Sequence, residues 1–592
     1  MKTIAKHFFS DPTHLVITAL RAQTLINPSL AFDEESKIVF RRPETTSKSK
    51  VAVVSGGGSG HEPAFAGYVG KGFLTASAAG TIFASPSADQ VLRATVQRVE
   101  SDNVLVIPNN YTGDVLHFGM AVEKAKAAGK NVEFFAIGDD VGVGRTKGGK
   151  VGRRGLAGGV LVLKIASALA ELGASLSDVH RIAQLTNDNL VTLGSSLEHV
   201  HVPGRQVSSD LLPADEIEVG MGIHNEPGSH RVKAGDFPAL IKTMLVQLLD
   251  HNDPDRGWMK VNSGDKFVLL INNLGSVSNL ELSGITAEVS LQLEKDYKIK
   301  PVRILQGMYS SSLNGLGFSI SLLKLADTGL GPGKSLLELL DAPTEAAGWA
   351  APIHSSTWEK HASDGPVELK KIVTTQDTPS NLKVPRDQFK KALFAGLQRV
   401  IDAEPLVTKY DTIVGDGDCG VGLKRGAEAV LKAIKDDPSP TDDAILTVDK
   451  IVEAVEANMD GTSGAIYAIF LNSLVHGLRA QDKSGSATPA NTKIWAEALK
   501  SSVTALAKYT PAQVGDRTLV DALVPFSNKL SETGDVHAAA KAAQDGTEAT
   551  KHLKASLGRA VYVGSEGDWL GKVPDPGAYG LSEFLSGLAS SL

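Results

Sequence analysis

Two hydrophobic patterns divide the chain. Up to about residue 340, short apolar runs alternate with longer amphipathic ones. VAVVSGGGSG from Val51, NVLVIPNNYTGD from Asn103, NVEFFAIGDD from Asn131, KFVLLINNLG from Lys266 and PVRILQGMYSS from Pro301 share one form. In each, a β-branched run passes straight into Gly, Asn, Asp or Ser, which predicts a strand ending in a polar loop. HFGMAVEKAKAAGK and the segment around Lys164 carry helical spacing instead. Strand, polar loop and helix in repetition predict α/β layers on a largely parallel sheet, with sites at the carboxyl ends of the strands. From Asp341 to Gln388 the pattern lapses: Pro343, Pro352, Pro366, Pro379 and Pro385 punctuate a polar stretch that reads as a linker. Beyond it Phe389, Leu393, Leu397 and Ile401 recur every four residues, and Val448, Ile451, Val452, Val455 and Met459 at i, i+3, i+4, i+7 and i+11. Ile494, Ala498, Val503 and Leu506 behave similarly. These spacings predict helices with one apolar face. The expectation is a multidomain chain: an α/β region over 1–340, a linker over 341–388 and an all-helical region over 389–592. No repeat of solenoid period is present.

Composition narrows the classes. The 592 residues suffice for several cores, and 42% hydrophobic with 21% charged residues excludes wholesale disorder. Sixty Lys+Arg against 67 Asp+Glu give a net charge of −7, with no electrostatic footprint for nucleic acid or an anionic membrane. The single cysteine, Cys419, excludes an internal disulfide and a thiolate zinc site. MKTIAKHFFSDPTH has no apolar signal-peptide core, and the most apolar stretch, LAGGVLVLKIASALAEL, is interrupted by Lys164. The expectation is a cytoplasmic protein. Glycine, at 59 residues, is abundant and clustered, as in enzymes built on glycine loops.

Two phosphate-loop near-misses carry little weight. Gly144 to Lys150 fits until Val151 replaces the final Ser or Thr, and Gly333-Lys334-Ser335 has Thr328 where the first glycine belongs. There is no GxGxxG, which argues against a nicotinamide cofactor. SGGGSGHEP carries more. Gly56, Gly57, Gly58 and Gly60 let backbone approach a ligand, and His61 follows at once. NNYTGD ends at Asp114, which alone is explained equally well as a capping residue. MGIHNEPGSH supplies His224 and His230, whose six-residue spacing is not a zinc pattern. A neutral imidazole serves as nucleophile or base, though a buried, satisfied histidine explains either one taken singly. In YDTIVGDGDCG, Asp411, Asp416 and Asp418 lie within eight residues. Carboxylates so close repel unless a cation neutralises them, and hard oxygen ligands suit magnesium bridging to phosphates. MDGTSGAIY places Gly461 to Gly464 at a helix start, where free N–H groups favour phosphate. GDRTLVDALVPF and PDPGAYG add Asp516, Arg517, Thr518, Asp521 and Asp575.

SGGGSGHEPAFAGYVGKG, NYTGD, GMGIHNEPG, YDTIVGDGDCG, GTSGAIY, GDRTLVDAL and PDPGA, in this order and over almost the whole chain, resemble the ATP-dependent, single-chain dihydroxyacetone kinases. The resemblance implies two α/β lobes for substrate and a barrel of antiparallel helices for ATP. It implies that His224 holds the ketone carbon as a hemiaminal, with His61 and Asp114 catalytic. Gly58, Ser59, Gly60, His61, Asn109 and Asp114 would bind substrate. Asp411, Asp416 and Asp418 would ligate two Mg2+ ions. Gly417, Asp418, Cys419, Gly420, Thr462, Ser463, Gly515, Asp516, Thr518, Asp575, Pro576 and Gly577 would line the ATP site. Many relatives carry lysine where this chain has Asn109, which removes a charge there. The terminal SSL lacks the basic residue of the peroxisomal address SKL.

The reading is a kinase for dihydroxyacetone and D-glyceraldehyde, working within one chain or as a homodimer. A tiny substrate offers few contacts, so a reversible covalent bond fixes it and rejects glycerol, which has no carbonyl. Asp114, helped by His61, would take the hydroxyl proton. The rivals are an added lyase activity that cyclises FAD and a carbonyl-sensing regulator without catalysis. The intact aspartates weigh against the regulator.

Overall fold

The computed structural model describes the chain apart from residues 1–6, 10, 13, 44–48, 207–211, 363, 366–377, 438–440, 484, 558, 563–566 and 568. It divides into two compact units, Met1–Pro366 and Val367–Leu592.

The first unit holds two six-stranded sheets. One contains β1 (Leu30–Asp33), β2 (Ile38–Arg41), β3 (Ala52–Ser59), β4 (Ala76–Ile82), β5 (Asn103–Val106) and β6 (Asn131–Phe134), in the order β1-β2-β4-β3-β5-β6. Its inner pairs, β4–β3, β3–β5 and β5–β6, are parallel, while β1–β2 and β2–β4 are antiparallel. The other contains β7 (Leu190–Ser196), β8 (Glu216–Val219), β9 (His230–Lys233), β10 (Phe267–Asn273), β11 (Arg303–Gly307) and β12 (Gly317–Lys324), in the order β11-β10-β12-β7-β8-β9. Here only β10–β11 is parallel, joined through the helix Asn279–Tyr297. The remaining four pairs are antiparallel. The expectation of a largely parallel sheet therefore holds for the first sheet and fails for the second. Among the described residues no helix separates β7, β8 and β9, and these neighbours pair antiparallel.

The helix Gly159–Glu171 lies between the sheets. Its Val160, Leu161, Val162, Leu163 and Ile165 share one core with Val53 and Leu105 of the first sheet and Val268, Leu270 and Leu323 of the second. An apolar stretch without a polar face is what a helix buried all round requires. Lys164, fully buried, donates to the Leu339 carbonyl at 3.1 Å. Other helices cover the outer sheet faces, including Ala88–Val96 and Thr112–Ala127 on the first, and Phe237–Leu249 and Asn279–Tyr297 on the second.

Part of the segment expected to link the regions is packed. Tyr309 Oη donates to the Ala350 carbonyl at 2.5 Å, and the Glu345 and Gly348 amides bond to Lys71 and Gly67. At its other end, Ser380 donates to Asp443. Residues 366–377 of that segment lie outside the described residues.

Among the described residues the second unit contains eight long helices: Arg386–Val414, Cys419–Lys435, Ala444–Asn458, Gly461–Arg479, Thr492–Leu506, Val520–Thr533, Val536–Ala549 and Pro576–Ala589. Each packs on its chain neighbours, and the last packs on the first, closing a ring. The short connections at 415–418, 459–460 and 534–535 reverse the chain, as in an antiparallel bundle. The inward faces do not fill the ring. They line an open cavity of about 890 Å³ to which all eight helices contribute, through residues such as Leu397, Phe470, Leu474 and Phe526.

Candidate active-site residues

In the first unit, strand ends and one loop bring two histidines together. His61 follows β3, and His224 lies in the loop between β8 and β9. Although 163 residues apart, their Nε2 atoms are 3.0 Å from one another. His61 Nδ1 lies 2.9 Å from the Ser311 carbonyl, and His224 Nδ1 lies 2.9 Å from Glu226 Oε1. Carbonyl and carboxylate can only accept, so each Nδ1 carries a proton, and the two Nε2 atoms share at most one more. Burial, and then the neighbouring His224, pushes the His61 imidazole down to about 3. For Glu226, burial acts upward, but the hydrogen bond and charge of His224 outweigh it and hold the carboxyl at about 2. Glu226 is thus an anion held against His224 Nδ1, across the ring from the Nε2 that faces His61.

The local sequence builds this turn. Asn225 takes the left-handed region, φ 66°, and its side-chain amide bonds both the N–H and the carbonyl of Val200 at 2.9 Å. The reversal returns Glu226 toward His224, whose backbone N–H it also accepts at 2.9 Å. Ser312 ties down the Ile223 carbonyl at 2.5 Å.

Asp114 sits in the first turn of the helix Thr112–Ala127, with Oδ1 buried and unpartnered among the described residues. Burial pushes its carboxyl up to about 6, against the Ser85 hydroxyl, His224 and His117, which lower it. Tyr111 sets its ring edge-on to His224, centroids 4.8 Å apart. The glycine loop has a steric reason. A Cβ on Gly58 would lie 2.8 Å from the Ala84 nitrogen, and one on Gly60, at φ 101°, would lie 2.9 Å from the Phe83 ring. Ser59 donates its hydroxyl to the Gly80 carbonyl at 2.9 Å, so that donor is engaged within the fold. Asn109 is buried, its amide 3.5 Å from the Gly155 carbonyl, and it packs against the glycines that open the helix Gly159–Glu171.

In the second unit the ligating oxygens of Asp411, Asp416 and Asp418 come within 4.8 Å of one another, Asp411 buried and the others exposed. Asp411 lies in the last turn of one helix and Asp418 at the N-cap position of the next, where Cys419 N donates to Asp411 Oδ2 at 3.0 Å. Gly417, at φ 82°, turns the chain between them. Three carboxylates converging without a lysine or arginine paired to Asp411 or Asp418 in any described ion pair fit a divalent cation. Gly420 packs where a Cβ would meet Thr408 at 2.2 Å. Cys419 Sγ is 3.9 Å from the Ser463 hydroxyl at the start of the helix Gly461–Arg479, and burial followed by Asp411 pushes its thiol up to about 12. Thr462 is exposed in the same turn.

Asp521 organises the loop before it, accepting from Gly515 N at 2.7 Å and Thr518 N at 2.8 Å. The Asp516 carboxylate is held by Gln513 N at 2.8 Å and the Ser556 hydroxyl at 2.6 Å. Asp575 caps the helix opened by Pro576 and Gly577, accepting from Ala578 N at 2.7 Å. Burial pushes Asp575 up to about 6, Arg517 draws it down, and Asp521 and Asp411 raise it, so these motifs share one electrostatic neighbourhood. The sequence reading assigned no role to Glu226, Phe83, Tyr111 or Asp521. Glu226, Tyr111 and Asp521 lie inside the GMGIHNEPG, NYTGD and GDRTLVDAL motifs, so the signal was present, whereas Phe83 lies in none of the motifs.

The Dak1 domain model matches residues 21–348 and the DAK2 domain model residues 413–590. The chain is 43% identical to dihydroxyacetone kinase 2 of Saccharomyces cerevisiae over 599 residues, covering 99% of each. It is 35% identical to the human triokinase/FMN cyclase, covering 97% of each. The structure of the C. freundii dihydroxyacetone kinase in complex with AMP-PNP and Mg2+ aligns with a TM-score of 0.62 at 30% identity, covering 99% of this chain and 100% of that one. The two-unit chain therefore has solved and curated counterparts that it matches over nearly its whole length. The chain belongs to the single-chain dihydroxyacetone kinase family.

Proposed function

We propose that this kinase transfers the γ-phosphate of ATP to a terminal hydroxyl of dihydroxyacetone while His224 holds the ketone as a hemiaminal. The observation that carries the reading is the line Glu226–His224–His61, in which an anion steadies one imidazole and a second imidazole faces its Nε2. His224 Nε2 adds to the carbonyl carbon through its lone pair, the π pair passes to oxygen, and that oxygen takes a proton from solvent, since burial keeps His61 neutral. The ring finishes as an alkylated imidazolium whose Nδ1–H is held by Glu226, so charge balances within the site. Asp114 Oδ1 accepts the proton of the reacting hydroxyl. Gly58 and Gly60 keep the loop close, and Asn109 fills the wall beneath it.

Asp411, Asp416 and Asp418 would hold Mg2+ with ATP, two ions in this proposal, which would supply positive charge against the negative charge developing on the phosphates. Gly417 to Gly420, Thr462–Ser463, Gly515 to Thr518 and Asp575 to Gly577 would surround the nucleotide. D-Glyceraldehyde, with a carbonyl beside a hydroxymethyl group, is expected as a second substrate. A homodimer is expected on the family pattern. The 35% identity to a triokinase/FMN cyclase keeps a cyclising activity in view, which an assay with FAD and manganese would reveal.

The test is ADP release with dihydroxyacetone, glyceraldehyde, glycerol and fructose, in wild type and His224→Ala. Turnover is expected with the first two alone, and His224→Ala should lose covalent capture in a crystal soak and most turnover. Glycerol phosphorylated as fast as the ketone would remove the hemiaminal from the mechanism.

A further inference from the structure

Phe83 is a bulky residue in the left-handed backbone region, φ 61°. That conformation costs about 1–2 kcal/mol for a residue with a Cβ and persists only where the surroundings fix it. The surroundings do so here. Phe83 N donates to the Ser59 carbonyl at 2.9 Å, and Ala84 N to the Thr81 carbonyl at 3.1 Å. The strained turn delivers one thing, the ring. It lies parallel to His61, centroids 5.1 Å apart and planes 11° apart, and meets His224 edge-on at 5.1 Å and 79°. Gly58 and Gly60 lack side chains where the Phe83–Ala84 backbone and the Phe83 ring approach.

The His61 ring has one other fixed hold, to backbone. Its Nδ1 donates to the Ser311 carbonyl, and that segment is itself pinned, since Ser311 N donates to the His61 carbonyl at 3.2 Å and Leu313 N to the Gly60 carbonyl at 2.7 Å. One in-plane bond leaves a ring free to swing about it, and a flat surface against the face removes that freedom. We propose that Phe83 is a positioning residue for ketone phosphorylation: its ring sets the plane of His61 and thereby aims His61 Nε2 at His224 Nε2. The proposal deepens the ketone-capture reading and rests on it for its effect on turnover, but its structural part concerns the unliganded protein.

Three variants separate the contributions. Phe83→Tyr keeps the aromatic face, Phe83→Leu keeps apolar bulk without a flat face, and Phe83→Gly removes the ring while relieving the backbone. Two measurements are made on the full chain: kcat and KM for dihydroxyacetone, and ring 1H–15N spectra of histidine-labelled, unliganded protein. Phe83→Leu and Phe83→Gly should both lose on the order of 10–100-fold in kcat/KM, as expected for a misaimed reacting group. Both should shift the His61 and His224 Nε2 signals, and Phe83→Tyr should restore activity and spectrum together. Because glycine suits this backbone, loss of activity in Phe83→Gly without loss of Tm would exclude a purely structural role. Wild-type spectra and kcat/KM in Phe83→Leu would overturn the proposal, as would losses that follow Tm alone with unchanged spectra. If ketone leaves the wild-type histidine signals unmoved, the capture reading fails, while the spectra of the unliganded variants still decide whether Phe83 orients His61.

Discussion

Burial makes Asp114 a reluctant anion and, for the same reason, a usable base near neutrality. Its folded-state pKa of about 6 lies above the ordinary carboxyl value, so between about pH 4 and 6 the folded protein binds more protons than the unfolded chain. Stability attributable to this group therefore falls as pH rises through that window. Activity should move the other way, rising as Asp114 ionises. Asp114→Asn is expected to lower kcat on the order of 10²–10⁴-fold. It should also stabilise the protein above pH 6 by up to about 3 kcal/mol relative to wild type, with a smaller gain at pH 4.5. Urea midpoints at pH 4.5 and 8 check the sign; an equal shift at both would show that the carboxyl does not titrate as assigned. Sequence reading reached Asp114, His61 and His224 through their motifs, but not their contact, because no spacing encodes a meeting across 163 residues. Glu226 was visible two places after His224, yet its role depends on Asn225 turning the chain back. Phe83 was out of reach, since its value lies in a backbone angle and a ring orientation.

At the scale of elements, β3 shows how a run of glycines serves packing and site together. Gly56, at φ 155°, lies against β4 so tightly that a Cβ would stand 2.1 Å from the Ala78 carbonyl oxygen. Gly56→Ala must push a parallel pair apart, and a loss of about 1–3 kcal/mol or more is expected from such overpacking. A lowered urea midpoint with unchanged slope would register it; an unchanged midpoint would mean the pair tolerates separation. The five strands read from sequence, β3, β5, β6, β10 and β11, all announce themselves by β-branched runs entering polar loops. β12 does not: GFSISLLK alternates serines with aliphatics, its Ser321 accepting from Thr192 at 2.8 Å, so no clean polar boundary marks it. β7, LVTLGSS, does run into Gly and Ser, and its signal was passed over. Missing these two central strands is what made the second sheet look parallel. In the second unit the helices were legible from their spacing. The cavity they line was not, because an apolar helix face reads the same whether it meets another side chain or a void.

For the whole molecule, the candidate chemistry divides between the two compact units: the histidine pair belongs to one, the acidic cluster to the other. Family motifs in the sequence already separated the two halves, while the boundary between them was read too broadly, because prolines that mark a linker also mark a packed, irregular segment such as 342–351. The division predicts that the two half-functions fail independently. Asp416→Asn removes a charge from a three-carboxylate cluster whose oxygens lie within 4.8 Å, and divalent-cation affinity should fall while the first unit's bonds are untouched. Ketone-induced shifts of the His61 and His224 signals should therefore persist in Asp416→Asn, and in wild type treated with EDTA, while ADP release is abolished in both. Restoring Mg2+ should rescue the EDTA-treated protein fully and the variant only at raised concentration, since a weakened site is refilled by mass action. Conversely, His224→Ala should leave Mg2+-dependent ATP binding intact. Loss of the histidine shifts in Asp416→Asn would show that capture requires a loaded second unit, and the two sites would then have to be treated as one cooperative assembly.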